Sequence, residues 1–296
     1  MTRVAFIGLG AIGMPMAQHL AKPPFELAVW NRTAGKAKEF AESNGVVAAA
    51  TPADAARSAE VVITCLPSSR EVRQVLEGPD GLLGVLGLGA ILVDCTSGDP
   101  AESREFAKLL EGRGASFMDA PVSGGVVGAQ AGTLTVMCGG DASVLERARP
   151  VLEAFGKKIV HCGPVGSGHA VKAVSNALLA VHVWSTAEAL AALTRLGVSA
   201  SVALDVINAS AGRSNASQNL FPERVLTREF PRTFRLALLD KDIGIATKLA
   251  SESGTPIPLI DLAAKLIHEA RLELGEEADH VEAAKVVERR AGVVIR

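Results

Sequence analysis

No run of like charge stands out in this 296-residue chain, whose 30 basic and 32 acidic residues leave a formal net charge of -2. Such a surface offers nothing to neutralise a row of phosphates, so no nucleic acid is expected as a partner. Long apolar runs are missing as well. Gly, Pro or charge interrupts each one short of the roughly 18 residues that a membrane span needs, and Met1-Thr2-Arg3-Val4-Ala5-Phe6 already alternates like a strand. The expectation is no membrane span and a cytoplasmic location. Paired cysteines are absent: Cys65, Cys95, Cys138 and Cys162 form no CxxC spacing and each ends an apolar run, as small buried residues at strand ends do. His161, His169, His182, His268 and His280 lack metal-ligand spacing and read as structural or surface residues, so no metal is expected. No repeat of 20 to 50 residues recurs, which excludes a solenoid.

What is present is an ordinary globular composition, 48% hydrophobic and 21% charged, over a length that suits about two domains. Up to about residue 165, short β-branched runs alternate with Ala-rich helical stretches, the pattern of βαβ units. Strands are expected at 3–8, 26–30, 46–48, 61–66, 90–94, 116–120, 134–138 and 158–161, with helices between them. After the turn Gly163-Pro164-Val165-Gly166-Ser167-Gly168 the pattern changes, because His169 to Leu196 runs on without a breaker. Helical segments at 199–209, 216–226, 236–253, 257–274 and 280–291 follow. The expected fold class is α/β: a parallel-sheet domain over 1–164, then a long helix leading into an all-α domain over 165–296.

The first strand feeds Gly8-Leu9-Gly10-Ala11-Ile12-Gly13 and then a helix, which places G-x-G-x-x-G in its strand-turn-helix context. The first glycine permits the tight turn, the second lets backbone amides approach a pyrophosphate, and the third lets the helix pack on the strand. This makes the N-terminal domain a Rossmann-type dinucleotide-binding domain, with the anion at the helix N-terminus. At the end of the second strand, 18 positions beyond Gly13, stand Asn31-Arg32-Thr33, with Lys36 one turn further and no carboxylate for a ribose 2′-OH. A guanidinium there suits a 2′-phosphate, so NADP(H) is favoured. If Arg32 only stacks on adenine, NAD(H) binds as well. Leu66, Pro67 and Thr96 follow two further strand ends and are candidates to line the ribose and nicotinamide.

Two later segments carry chemistry. Asp119-Ala120-Pro121-Val122-Ser123-Gly124-Gly125 sets a hydroxyl beside glycine amides, a nest for a small carboxylate, although alone it reads as a β-turn. Lys172 and Asn176 lie four apart on the long helix and share a face in a stretch nearly free of charge. A lone helix lysine is normally just solvated, but a desolvated one can serve as acid or base. Phe230 and Phe234 are read as core packing, with a substrate wall as the alternative. The polar run Asn208 to Ser214 reads as a helix-helix loop able to reach a partner subunit's site.

Together, Gly8-x-Gly10-x-x-Gly13-Met14-Pro15-Met16-Ala17, Asp119 to Gly125, Gly163-x-x-Gly166-x-Gly168-x-x-x-Lys172-x-x-x-Asn176 and Lys241-Asp242-Ile243-Gly244-Ile245-Ala246 resemble the signature set of the β-hydroxyacid dehydrogenases, the family of 3-hydroxyisobutyrate dehydrogenase. The resemblance implies cofactor binding at Gly8 to Gly13, carboxylate binding at Ser123, Gly124 and Gly125, and a catalytic acid/base at Lys172. It also implies a substrate-binding role for Asn176 and closure of Lys241 over the cofactor. Ser175 and His19 stand where asparagines are common in the family, and Asn31-Arg32-Thr33 resembles its NADPH-preferring glyoxylate and succinic semialdehyde reductases. The function expected is hydride transfer between NAD(P) and a short 3-hydroxy acid or its semialdehyde. The alternatives are an NADPH-dependent glyoxylate or succinic semialdehyde reductase and a catalytically silent nucleotide-binding module, against which the intact Lys172–Asn176 pair argues. Replacement of the lysine in imine reductases weakens that reading too. Family members commonly form dimers or tetramers, and a homodimer or homotetramer is expected.

Overall fold

Strand residues of the first half are apolar at successive positions, so both faces of their sheet are buried. In the computed structural model, which describes residues 1–296, the strands are β1 (Thr2–Ile7), β2 (Phe25–Trp30), β3 (Val47–Ala48), β4 (Val61–Thr64), β5 (Ile91–Asp94), β6 (Ser116–Asp119), β7 (Val122–Ser123), β8 (Leu134–Gly139) and β9 (Gly156–Gly163). Val4 and Phe6 of β1, Val61 and Ile63 of β4, and Ile91 and Val93 of β5 enter one apolar cluster. Their alternates Ala5, Ile7, Val62 and Leu92 enter the cluster on the other face.

The sheet order is β3-β2-β1-β4-β5-β6-β8-β7, with β9 also paired to β8. From β3 to β6 every pairing is parallel, and the order reverses between β1 and β4. A ligand crevice therefore opens beyond the carboxyl ends of β1 and β4. The expected parallel sheet is only mostly parallel, because β8 runs antiparallel to β6 and β7. The physical reason is length: Ser123 to Leu134 leaves only a short helix between the strands, and a parallel crossover needs a dozen or more residues.

Around the sheet lie α1 (Gly13–Leu20), α2 (Ala34–Asn44), α3 (Pro52–Ala56), α4 (Ser69–Glu77), α5 (Pro100–Glu111), α6 (Gly125–Ala131) and α7 (Ala142–Leu152). Strand β7 and helix α6 are additions to the sequence reading, which saw a turn there. The chain divides into two compact units, Met1–Lys172 and Ala173–Arg296, and the division falls inside α8 (Ser167–Arg195). The first turn of α8 stays with the first unit because it is bonded to Asp119 at the end of β6.

The second unit continues with α9 (Ala200–Asn208), a π-helical segment (Ala216–Leu226), α10 (Leu236–Ser253), α11 (Pro258–Leu274), a 3-10 turn (His280–Glu282) and α12 (Ala283–Ala291). By length and composition α8 could cross a membrane, a departure from the expectation of interrupted apolar runs. Its Ala173, Ala177, Ala180, Trp184, Ala187 and Ala191 recur at alternating four- and three-residue steps and pack in the core of the second unit. That single buried stripe is the signature of a core helix.

Candidate active site

The turn after β1 is built at backbone contact. A Cβ on Gly8, whose φ is +108°, would lie 2.4 Å from the Cys65 carbonyl oxygen, and one on Gly13 would lie 2.1 Å from the Gly8 carbonyl oxygen. No side chain fits either position. At Gly10, by contrast, a Cβ would meet nothing within 4 Å, so the middle of the turn faces open space. Helix α1 has no side-chain cap and no acidic residue in its first turn. Because the Met14 and Met16 amides bond the Gly10 and Ile12 carbonyls and Pro15 has no N–H, the amides left for an anion are those of the turn itself up to Gly13. These features fit a dinucleotide pyrophosphate. Ala11 is exposed and Ile12 half-buried beside it. Leu9 is spent otherwise: its side chain is in the core, and its amide donates to Asn31 Oδ1 at 3.0 Å. Asn31 Nδ2 in turn donates to the Thr33 carbonyl at 3.1 Å, so Asn31 ties the two turns together.

Arg32, Thr33 and Lys36 are exposed at the start of α2. Thr33 occupies the N-cap position without making a capping bond, and no acidic residue stands in the first turn. The ion pair of this helix, Lys38–Glu42, leaves Arg32 and Lys36 outside it. At the next strand ends, Thr96 is buried and its hydroxyl accepts the Leu66 amide at 3.1 Å. Leu66 is half-buried and Pro67 exposed. The structure thus brings the ends of β4 and β5 together.

Ser123 is half-buried at the end of β7, paired with Thr135, and the exposed Gly124 and Gly125 take φ of +134° and +63°. Asp119 Oδ1 accepts the Gly166 amide at 2.6 Å and Oδ2 the His169 amide at 2.8 Å, so a buried carboxylate completes the N-terminus of α8. Burial pushes that carboxyl above the usual aspartate range, against the pull of the His169 ring and these amides. Lys172 is half-buried and Asn176 buried one turn later on the same helix. Asn176 Nδ2 donates to Asp242 Oδ2 at 2.6 Å, and Lys241 Nζ lies 2.8 Å from Asp242 Oδ1. A carboxylate only accepts, so it fixes which end of the Asn176 amide turns toward it.

Sequence reasoning gave Asp242 no role of its own and took His169 as a structural or surface residue, and the structure buries both. Periodicity holds the signal for Asp242: Leu239, Asp242, Ile243 and Ala246 are the buried face of α10, and a carboxylate on such a face needs a partner. Phe230 and Phe234 pack as expected, Phe230 under the Lys285 ammonium at 4.0 Å and Phe234 edge-on to His280 at 5.4 Å. His19 ties α1 to α6, its Nε2 lying 2.9 Å from the Ala129 carbonyl oxygen and 3.1 Å from that of Gln130. Burial pushes the Cys65 and Cys138 thiols up to about 12, with Asp94 adding to the effect at Cys65 and Cys162 to that at Cys138.

Residues 3–163 match the family model of the NAD-binding domain of 6-phosphogluconate dehydrogenase. Residues 166–287 match the one described as NAD-binding of NADP-dependent 3-hydroxyisobutyrate dehydrogenase. The 2-(hydroxymethyl)glutarate dehydrogenase of Eubacterium barkeri is 36% identical over 301 residues, covering 99% of this chain and 97% of that protein. The NAD-dependent L-serine dehydrogenase of Pseudomonas aeruginosa is 38% identical over 272 residues, covering 90% and 91%. The solved Mycobacterium tuberculosis 3-hydroxyisobutyrate dehydrogenase with L-serine superposes with a TM-score of 0.89 at 33% identity, covering 97% of this chain and 99% of that one. With both halves matched and the glycine turn fitting a dinucleotide, the chain belongs to the 3-hydroxyisobutyrate dehydrogenase family of β-hydroxyacid dehydrogenases, NAD(P)-binding oxidoreductases that act on CH–OH groups.

Proposed function

We propose that the chain oxidises short 3-hydroxy acids bearing a primary alcohol, with 3-hydroxyisobutyrate as the reference substrate, and reduces the matching semialdehydes. The observation that carries this reading is the pair Lys172 and Asn176, one turn apart, with the asparagine amide locked by a buried carboxylate. The relatives' names support the substrate class. 3-Hydroxyisobutyrate, L-serine and 2-(hydroxymethyl)glutarate each carry a CH2OH group on the carbon that bears the carboxylate, and they differ only in the remaining substituent. In this reading Ser123 and the amides of Gly124 and Gly125 hold the carboxylate, which fixes the distance to the alcohol carbon. Lys172 takes the hydroxyl proton during oxidation and returns it during reduction, while Asn176 orients the oxygen. A bound nicotinamide cofactor supplies the hydride chemistry. Gly8, Gly10, Ala11, Ile12 and Gly13 would hold its pyrophosphate, Leu66, Pro67 and Thr96 would line its ribose and nicotinamide, and Lys241 would close over it.

Steady-state kinetics test the proposal, using 3-hydroxyisobutyrate, L-serine, 2-(hydroxymethyl)glutarate, glyoxylate and succinic semialdehyde with both cofactors. Highest kcat/KM on a 3-hydroxy acid is expected. A second reading, an NADPH-dependent glyoxylate or succinic semialdehyde reductase, is favoured by the unpaired Arg32 and the uncapped start of α2, and about tenfold higher kcat/KM on those aldehydes would establish it instead. No turnover of any member of the panel would leave a silent nucleotide-binding module.

Cofactor choice provides a separate prediction. A guanidinium paired with a 2′-phosphate contributes about 1.5 to 3 kcal/mol, so Arg32→Asp is expected to raise KM for NADP(H) by roughly 10- to 150-fold. KM for NAD(H) should change little or fall. An unaltered preference in that variant means that the phosphate is held elsewhere.

A further inference from the structure

One turn before Lys172, the His169 ring is buried between β5 and α5, with 1% of the residue exposed. Its Nδ1 lies 2.7 Å from Ser103 Oγ. The same hydroxyl lies 3.2 Å from the Asp99 carbonyl oxygen, which also receives the Ser103 amide at 3.1 Å, and the shorter contact to Nδ1 is the one that takes the single hydroxyl proton. Nδ1 then accepts, and the remaining ring proton sits on Nε2. This is the tautomer the surroundings favour, because Nε2 faces Asp94 Oδ2 at 3.9 Å and neither atom has a hydrogen bond. Buried polar atoms are rarely left in that condition, and here two of opposite character face each other. Room for the ring is made on purpose: a Cβ at Gly98 would come within 2.8 Å of His169 Cε1.

Asp94 is the junction of a larger network. Its Oδ1 accepts the Thr64 hydroxyl at 2.8 Å and the Thr96 amide at 3.1 Å, and the Thr96 hydroxyl accepts the Leu66 amide. Asp119 holds the main chain of the same helical turn through the Gly166 and His169 amides. The backbone of the first turn of α8 is thus tied to β6, and its one buried polar side chain faces β5.

We propose that His169 is a positioning residue: seated between Ser103 and Asp94, it sets the first turn of α8 against the strand ends and so holds Lys172 in place. The inference rests on the reading of Lys172 as the acid/base. His169 touches neither substrate nor cofactor in this role, so it acts on turnover and not on cofactor affinity.

His169→Phe fills the site without nitrogens, so that Asp94 Oδ2 no longer faces a ring nitrogen and the Ser103 hydroxyl keeps only the Asp99 carbonyl. His169→Gln keeps a donor in the place of Nε2. The expected result is a 10- to 30-fold lower kcat for His169→Phe, with the cofactor Kd within about twofold of the parent, and recovery to within about threefold in His169→Gln. Amide hydrogen exchange over residues 164–172 should be at least tenfold faster in His169→Phe and close to the parent in His169→Gln. Parent-like kcat in His169→Phe, or a His169→Gln variant as impaired as His169→Phe, overturns the proposal. Should His169→Phe fail to fold, Ser103→Ala takes its place, with a three- to fivefold loss of kcat expected and parent-like kcat overturning the role. If the parent protein turns over no hydroxy acid, it is the functional reading that fails. The exchange measurement still decides the anchoring, which parent-like rates at 164–172 in His169→Phe refute.

Discussion

Lys172→Ala is expected to lower kcat by about 10²- to 10⁴-fold, the range that a well-placed general acid or base contributes, while the cofactor Kd stays nearly unchanged. The two halves of this expectation come from different parts of the chain. Cofactor contacts are assigned to the turn after β1, to the start of α2 and to the ends of β4 and β5, whereas Lys172 lies on the first turns of α8. Its place there depends on the Asp119 carboxylate, which is bonded to the helix start. Alanine keeps the helix, since it has the highest helix propensity, so a large loss of turnover cannot be laid to unfolding of α8. Lys172→Arg should not restore the rate, because a guanidinium holds its proton near neutral pH and is wider than an ammonium. Rapid-mixing kinetics of both variants, with cofactor binding followed by fluorescence titration, check this. A fall in cofactor affinity matching the fall in rate would falsify the acid/base assignment and make Lys172 a binding residue.

Fold and site were legible in the sequence to different depths, for physical reasons. A strand buried on both faces is a short β-branched run between breakers, so β1, β4, β5 and β6 could be placed within two residues at either end. Helix α10 was bounded at Leu236 and Ser253 because Gly254, with φ of +67°, stops it. The antiparallel return of β8 was not visible, since strand direction depends on what the connecting segment can span and not on the strand's own residues. Glycine motifs announce a cofactor turn because backbone contact at 2.1 to 2.4 Å excludes every other residue. The side chains that organise the site from within announce far less. Leu9 looked like part of the cofactor turn, yet its amide is committed to Asn31. His169 read as structural or surface, and Asp242 as a mere neighbour of Lys241, because partners such as Asp94, Ser103 and Asn176 lie 66 or more positions away in the chain.

Asp279→Asn should be among the most destabilising single substitutions in the second unit, costing about 3 kcal/mol at neutral pH, the range seen when a buried, multiply bonded charge loses its partners. One carboxylate joins two segments there. Its Oδ2 accepts the Thr233 amide at 2.8 Å, the Phe234 amide at 3.0 Å and the Thr233 hydroxyl at 3.1 Å. Its Oδ1 accepts the Val281 amide at 3.1 Å and lies 3.1 Å from His280 Nδ1, and Glu282 Oε1 accepts the Asp279 amide in return, closing a capping box. An asparagine must turn an NH2 group toward one set of these donors and leave them buried and unbonded. Burial alone would raise the carboxyl, but the His280 ring and the amides of Phe234 and Thr233 outweigh it and hold Asp279 well below the usual carboxylate range. A carboxyl lower in the folded than in the unfolded chain stabilises fully above the unfolded value of about 4. That contribution is lost as pH falls from there through the folded value. The parent's advantage over Asp279→Asn should therefore be full at pH 5 and shrink steadily below pH 4, with the titrating groups that do not touch Asp279 cancelling because they are common to both proteins. Urea unfolding midpoints of the pair at pH 7, 5 and 3 measure the difference, and an advantage at pH 3 equal to that at pH 7 would show that Asp279 is not held low by its partners.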